Sequence, residues 1–124
     1  MSKTFSIKDR LKSFGYAAAG LKYMLLTQHN FLIHITLTLI AILLGFLLKI
    51  TNLEWVAIII VIGLVMSAEI FNTAIEEIVN IISPHKNEKA GIIKDIAAGA
   101  VLVLSIVALT TGIIIFLPKI IQIL

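Results

Sequence analysis

The most informative absences from this sequence are those of cysteine and of the motifs that mark soluble enzymes. None of the 124 residues is cysteine, which excludes a disulfide framework and thiolate chemistry. The phosphate-binding loop G-x-x-x-x-G-K-[ST], the fingerprint G-x-G-x-x-G, the runs H-R-D and D-F-G, and H-E-x-x-H are also missing. The familiar soluble nucleotide-binding folds are therefore excluded. The polar, basic start of the chain has neither an early apolar core nor a small-residue cleavage site, so we expect no cleaved signal peptide.

Charge is also scarce, and apolar residues dominate. Charged residues make up 14% of the chain, 60% is apolar, and the mean hydropathy is +1.10. Soluble domains are only about 45–50% apolar. A separate soluble catalytic module usually needs about 100 residues or more of its own, for which the chain has no room. We therefore predict one membrane domain over residues 1–124, with any chemistry carried by helices and their short flanks.

Three apolar segments, residues 31–48, 53–82 and 95–118, are predicted to cross the bilayer, which takes about 20 helical residues. The second is longer than one span, so it should tilt or protrude from the membrane. Residues 83–94 are predicted to form a loop, and Pro118 is predicted to end the third helix. The expected fold class is all-α.

Residues 1–28 are predicted to form an amphipathic helix that lies on the membrane surface. Lys8, Arg10, Lys12 and Lys22 stand between apolar positions and would face anionic head groups. The alternative is an ordinary basic flank that sets topology. Five of the ten basic residues precede the first span, so both interpretations place the N-terminus in the cytoplasm.

Acidic residues interrupt the second apolar segment. An ionisable group at membrane depth costs about 2.5–3.5 kcal/mol on insertion scales and is a functional-site hypothesis by default. Glu69, Asn72 and Glu76 fall at i, i+3 and i+7, which places them on one helix face. With the N-terminus inside, Glu76 gathers with the 83–89 loop and the pair Lys94-Asp95 at the inner surface.

This arrangement of residues permits phosphoryl transfer. One carboxylate can take a proton from a hydroxyl, and another can hold Mg²⁺ together with substrate phosphates. Lys94 can neutralise phosphate charge as a point cation, and such reactions need mainly positioning and electrostatic stabilisation.

Two other classes of function stay open. An ion or proton pathway would use Glu69 and Glu76 as relay groups, but it gives no role to Lys94-Asp95. A non-catalytic assembly subunit would use small residues such as those at 97–100 for helix contacts.

Two motifs at a fixed separation resemble the signature of the prokaryotic diacylglycerol kinase and undecaprenol kinase family. They are Glu69-x-x-Asn72-Thr73-Ala74-Ile75-Glu76 and Lys94-Asp95-x-Ala97-Ala98-Gly99-Ala100-Val101, and the likeness covers nearly the whole chain. It implies a homotrimeric kinase of the bacterial inner membrane, with active sites shared between neighbouring subunits. Such a kinase transfers the γ-phosphoryl group of Mg²⁺-bound ATP to a membrane lipid alcohol. No nucleic-acid partner is expected.

The resemblance also implies roles for particular residues. Glu69 would be the general base on the lipid hydroxyl, and Asn72 and Ala98 would join it in the lipid site. Glu76 and Gln28 would ligate Mg²⁺. The nucleotide would be contacted by Tyr16, Gln28, Glu76, His85, Asn87, Lys94 and Asp95.

Some positions depart from the family pattern or stay outside the expected site. Gln28 replaces a usual metal-binding glutamate, and Asn80 stands where an aspartate is common, so weaker metal binding or activity is expected. His34 is interpreted as a helix-packing or interfacial residue, and Glu77 as a residue at the subunit rim or facing water. The Glu54-Trp55 turn and the 115–119 end resemble the undecaprenol branch, so undecaprenol is the preferred substrate and diacylglycerol the alternative.

Overall fold

The computed structural model describes residues 3–124, and within that range the chain is entirely helical apart from short connections. The helices are α1 (Ile7–Thr27), α2 (His29–Leu47), α3 (Asn52–Ile82) and α4 (Glu88–Ile123). Helices α2, α3 and α4 are each long and apolar enough to cross a membrane. The predicted all-α class with three apolar helices after an N-terminal one is confirmed, while residues 1–2 of the predicted surface helix lie outside the described residues.

Helix α1 keeps most of its apolar side chains exposed, although Met24 is buried. Leu11, Phe14, Leu21 and Leu25 follow helical spacing along one face, and each is between 42% and 74% exposed. The helix begins at Ser6, whose side chain accepts from the backbone N–H of Asp9. A helix with an uncovered apolar stripe and basic residues beside it suits the surface of a bilayer.

The connection between α2 and α3 is a tight helix-ending motif. The backbone N–H of Ile50 donates to the Gly45 carbonyl at 3.1 Å, and that of Lys49 donates to Phe46 at 3.3 Å. This is the Schellman pattern, which needs a left-handed residue after the cap. Lys49 supplies it with φ 53°. Thr51 then caps α3 by accepting from the N–H of Glu54.

The best-packed part of the bundle lies beside this connection. Its buried cluster consists of Ile50, Ile58, Ile115 and Phe116. The ring of Trp55 packs against Phe46, with centroids 4.9 Å apart, and lies so close to Gly45 that an added Cβ would come within 2.5 Å of the ring atom Cη2. The small residue at position 45 thus lets the indole approach the backbone of α2.

Helix α4 is longer at both ends than the segment 95–118 predicted to span the membrane. It begins at Glu88, inside the predicted 83–94 loop, because the Asn87 side chain caps it and Glu88 complements the positive end of its dipole. The prediction that Pro118 ends the helix is wrong, since the helix runs on to Ile123. Proline removes one helical donor, but tertiary contacts hold the next turn, where Ile120 packs on the buried cluster and Lys119 pairs with Glu54.

Helices α3 and α4 make the most extensive interhelical contact, while α2 touches α4 only slightly. A groove therefore opens between α2 and α4, with α3 as its floor. Many large apolar side chains on the outer faces stay exposed, including Leu39, Ile59 and Ile114. Within one chain these faces have no cover, which fits contact with lipid or with neighbouring subunits.

Candidate active site

The carboxylate of Glu69 is buried inside the bundle and hydrogen-bonded across two helices. Glu69 is 4% exposed, and its Oε1 atom lies 3.0 Å from Nε2 of His34 on α2. An ionised carboxylate in apolar surroundings is costly unless it is paired. His34 provides that pairing, although the sequence analysis interpreted it as a helix-packing or interfacial residue.

A sequence signal for this contact does exist. His34 lies 13 residues before Leu47, the end of α2, and Glu69 lies 17 residues after Asn52, the start of α3, so their distances from the turn differ by about one helical turn. In an antiparallel helix pair, residues roughly equally far from the turn reach a similar depth. The two ionisable residues were therefore candidates for a pair, but helical rotation decides whether they face each other, and the sequence did not establish that rotation.

Asn72 and Glu76 continue the same face of α3 towards its C-terminal end. The Nδ2 group of Asn72 donates to Oε1 of Glu76 at 3.2 Å, and both residues are half-buried. The Oδ1 atom of Asn72 is buried and has no hydrogen-bond partner among residues 3–124. The predicted polar face of Glu69, Asn72 and Glu76 is thus present, with one amide oxygen available to another group.

The expected lipid-site residues border a common cavity of about 340 Å³. Glu69 and Asn72 reach it from α3, and Ala98 lines it from α4, where the small side chain leaves room. The cavity adjoins an apolar groove of about 490 Å³ that runs along the bundle to Ile58 and Ile120. His34 and Ser105 line both spaces, so a polar chamber and an apolar groove meet at these two residues.

Lys94 is held at the α3–α4 contact by a neutral partner. Its Nζ atom donates to Oδ1 of Asn80, and the side chain is half-buried. Among the described residues the salt bridge of a lysine with an acid is that of Lys119 with Glu54, so no acidic residue in that part of the chain neutralises Lys94. An amide orients the ammonium without cancelling its charge, which suits a group that meets phosphate.

The other expected nucleotide residues lie on α1, at the α1–α2 junction, in the loop before α4 and on α4. Tyr16 is 74% exposed on α1, and Asp95 is exposed on α4. His85 is exposed in the loop, and Asn87 is the cap of α4. Gln28 forms the α1–α2 junction, where its Nε2 group donates to Thr27 at 3.1 Å.

No hydrogen bond between described residues joins Tyr16, Gln28, His85 or Asn87 to Glu76. The residue next to Glu76 belongs to a different contact. Glu77 accepts from the hydroxyl of Tyr23 at 3.3 Å, which ties α1 to α3 on the exposed side. Glu77 is exposed within the single chain, and its place at a subunit rim stays a prediction.

A full protein cage for a metal ion is not present in the described part of the chain, where no three His, Asp or Glu side chains cluster. Mg²⁺ does not need such a cage, because it usually binds through one or two carboxylates plus substrate phosphates. Glu76 supplies one half-buried carboxylate at the C-terminal end of the polar face, which fits that donor set.

Comparison with known proteins gives the family. A family model described as prokaryotic diacylglycerol kinase matches residues 15–116, which include both motifs of the sequence analysis. The chain belongs to this family of lipid kinases. The resemblance inferred from the two motifs is confirmed, and membership implies ATP as the phosphoryl donor and a lipid alcohol as the acceptor.

Relatives named for two different activities occur in this prokaryotic diacylglycerol kinase family. The undecaprenol kinase of Bacillus subtilis is 38% identical over 108 residues, covering 87% of this chain and 88% of the relative. The diacylglycerol kinase of Synechocystis is 39% identical over 116 residues, but this chain spans 65% of its length. The diacylglycerol kinase of Escherichia coli K12 is 33% identical over 101 residues, covering 82% of this chain and 83% of the relative.

Proposed function

We propose that this lipid kinase phosphorylates the hydroxyl group of undecaprenol, with Mg²⁺-bound ATP as donor, at the cytoplasmic face of the bacterial inner membrane. The observation that carries the proposal is the buried carboxylate of Glu69 in a small cavity that opens into an apolar groove. A hydrophobic lipid alcohol needs both features, because its hydroxyl must reach a base while its tail stays out of water.

Glu69 is the proposed general base. Its carboxylate takes the proton of the lipid hydroxyl as the oxygen attacks the γ-phosphorus, and the bond from that phosphorus to ADP breaks. Asn72 and Ala98 shape the chamber around the hydroxyl. A positioned general base contributes about 10²–10⁴-fold to such a step.

Glu76 and Lys94 are proposed to act on the nucleotide. Glu76, joined by Gln28, would hold Mg²⁺, which would supply positive charge to the phosphates. Lys94 stays unneutralised beside Asn80 and adds a cation for the phosphates. Asp95, Tyr16, His85 and Asn87 are the further proposed contacts to ATP.

A homotrimer with shared sites and a cytoplasmic N-terminus is part of the proposal. The exposed apolar faces of α2, α3 and α4 support contacts beyond the single chain. Among the described residues Tyr16, His85 and Asn87 make no hydrogen bond to Glu76, which is compatible with a site completed by a neighbouring subunit. The five basic residues before the first span favour the cytoplasmic orientation of the N-terminus.

Diacylglycerol is the second candidate substrate. The Synechocystis and Escherichia coli relatives named diacylglycerol kinase support it. Undecaprenol is preferred because the Bacillus subtilis relative of that activity matches over 88% of its length. An ion pathway and a non-catalytic subunit are disfavoured, since neither uses a free Lys94 charge beside the acidic face.

Radiolabelled ATP with purified protein in mixed micelles tests the proposal. Undecaprenol and diacylglycerol are supplied in separate reactions with Mg²⁺. We expect labelled undecaprenyl phosphate to form faster than labelled phosphatidic acid, and Glu69→Gln to reduce the rate at least about 100-fold. Labelling of neither lipid by a correctly assembled protein would overturn the proposal, and faster labelling of diacylglycerol would overturn the choice of substrate.

A further inference from the structure

His34 has no part in the reaction proposed above, yet it contacts the carboxylate at its centre. The side chain of His34 is 19% exposed and that of Glu69 is 6% exposed, so the contact is shielded from solvent. The 3.0 Å separation between Nε2 and Oε1 is a hydrogen-bonding distance. The contact also joins two helices, which makes it part of the local packing geometry.

The hydrogen bond engages only one oxygen of Glu69. A carboxylate that acts as a general base is ionised and can only accept, so in that state Nε2–H of His34 donates to Oε1. Among residues 3–124 no other side chain hydrogen-bonds this carboxylate. The bond therefore fixes the rotation of the carboxylate and leaves Oε2 free for a proton from another molecule.

The hydrogen bond between His34 and Glu69 lies beside both the polar chamber and the apolar groove. His34 lies where the chamber meets the apolar groove, and Ser105 faces it from α4. Glu69 and His34 are the titratable residues that line the chamber, and α4 contributes no charged residue to its wall. A hydroxyl that enters with its tail in the groove thus passes His34 before it reaches Glu69.

We propose that His34 is a positioning residue that aims Glu69 at the lipid hydroxyl, an inference that rests on the proposed kinase function. As the hydroxyl oxygen forms its bond to the γ-phosphorus, its O–H bond breaks and the proton moves to Oε2 of Glu69. The phosphorus–oxygen bond to ADP breaks, and its electron pair leaves with ADP. His34 keeps its own proton throughout and acts only by holding Oε1.

Three histidine variants test this role. His34→Leu removes the donor, whereas His34→Gln keeps an N–H donor of similar reach. His29→Leu is the matched control, because His29 is an exposed histidine on the first turn of α2. We expect His34→Leu to lower kcat about 10- to 100-fold with the KM for ATP unchanged, because a misplaced reacting group costs about that much. His34→Gln should recover most of kcat, and His29→Leu should match the parent protein.

A double variant separates positioning from a general structural effect. In a Glu69→Gln background, His34→Leu should change the residual rate less than about threefold, because a residue that acts through Glu69 has nothing left to position. Melting in detergent reports whether each variant folds. A folded His34→Leu protein with parental kcat, or an equal loss with and without Glu69, overturns the inference. Absence of lipid kinase activity in the parent protein instead overturns the proposed function.

Discussion

The ammonium of Lys119 lies 3.2 Å from the carboxylate of Glu54 and joins the last turns of α4 to the first turn of α3. Both side chains are about one-quarter exposed, at 27% and 26%. Glu54 precedes Glu69 on the same straight helix by about 22 Å at 1.5 Å per residue, so the ion pair is remote from the candidate active site. It belongs to the packed end of the bundle that keeps α4 helical beyond Pro118.

Breaking this pair should affect stability and leave catalysis alone. Lys119→Met is expected to lower the unfolding free energy by about 0.2–1 kcal/mol, the usual contribution of partly exposed ion pairs. The charge exchange Glu54→Lys with Lys119→Glu should restore part of the loss. Denaturant unfolding in micelles measures stability, and the lipid kinase assay provides the control. A large fall in kcat in a folded variant would contradict the remote placement.

The turn between α2 and α3 offers a test of backbone strain. Lys49 adopts a left-handed conformation with φ 53°, which costs an L-residue roughly 1–2 kcal/mol relative to glycine. Glycine relieves this strain in the folded state, but it also gives the unfolded chain more backbone freedom, which opposes folding. Lys49→Gly should therefore raise the unfolding free energy by a net amount of about 0.5–1 kcal/mol.

Lys49→Ala is the matched control for that change. It removes the same charge from the membrane surface but keeps the Cβ atom, so it should bring none of the gain. The difference between the glycine and alanine variants isolates the backbone contribution. Equal stability of the two variants in thermal unfolding would show that the left-handed conformation carries no strain.

Patterns along the chain predicted much of the architecture, because hydropathy and helical period are local properties. The predicted second span, 53–82, lies within α3 (Asn52–Ile82), and the spacing of Glu69, Asn72 and Glu76 placed them on one face. Contacts between helices were harder to predict from the sequence. The His34–Glu69 pair depends on the rotation of α2 against α3, and the helix beyond Pro118 depends on packing that no local signal encodes.

The adjacent acids Glu76 and Glu77 provide a matched test of Mg²⁺ binding. Glu76 contacts Asn72 on the polar face, whereas Glu77 accepts from Tyr23 on the exposed side. Glu76→Gln should raise the Mg²⁺ concentration for half-maximal activity at least about tenfold, since even outer partners of a metal site are worth 10–100-fold. Glu77→Gln should change it little. Similar effects of the two variants would argue against Glu76 as the metal ligand.

Substitutions of Lys94 and Asn80 can distinguish the effect of the lysine charge from the effect of the hydrogen bond between the two residues. Lys94→Met removes the cation, and Asn80→Leu removes the acceptor while the cation stays. If Lys94 acts as a point charge on phosphate, Lys94→Met should raise the KM for ATP at least about tenfold, because a hydrogen bond to a charged group contributes roughly 1.5–3 kcal/mol.

Asn80→Leu should then have a much smaller effect, since the ammonium can still reach the phosphates without its amide partner. Asn80→Asp gives the opposite perturbation, because a carboxylate beside Lys94 would compete with phosphate for the ammonium. Steady-state kinetics over a range of ATP concentrations distinguishes these outcomes. Equal increases in KM for Lys94→Met and Asn80→Leu would contradict a direct contact of the ammonium with phosphate. They would mean that Lys94 acts by its hydrogen bond to Asn80, which holds α3 against α4.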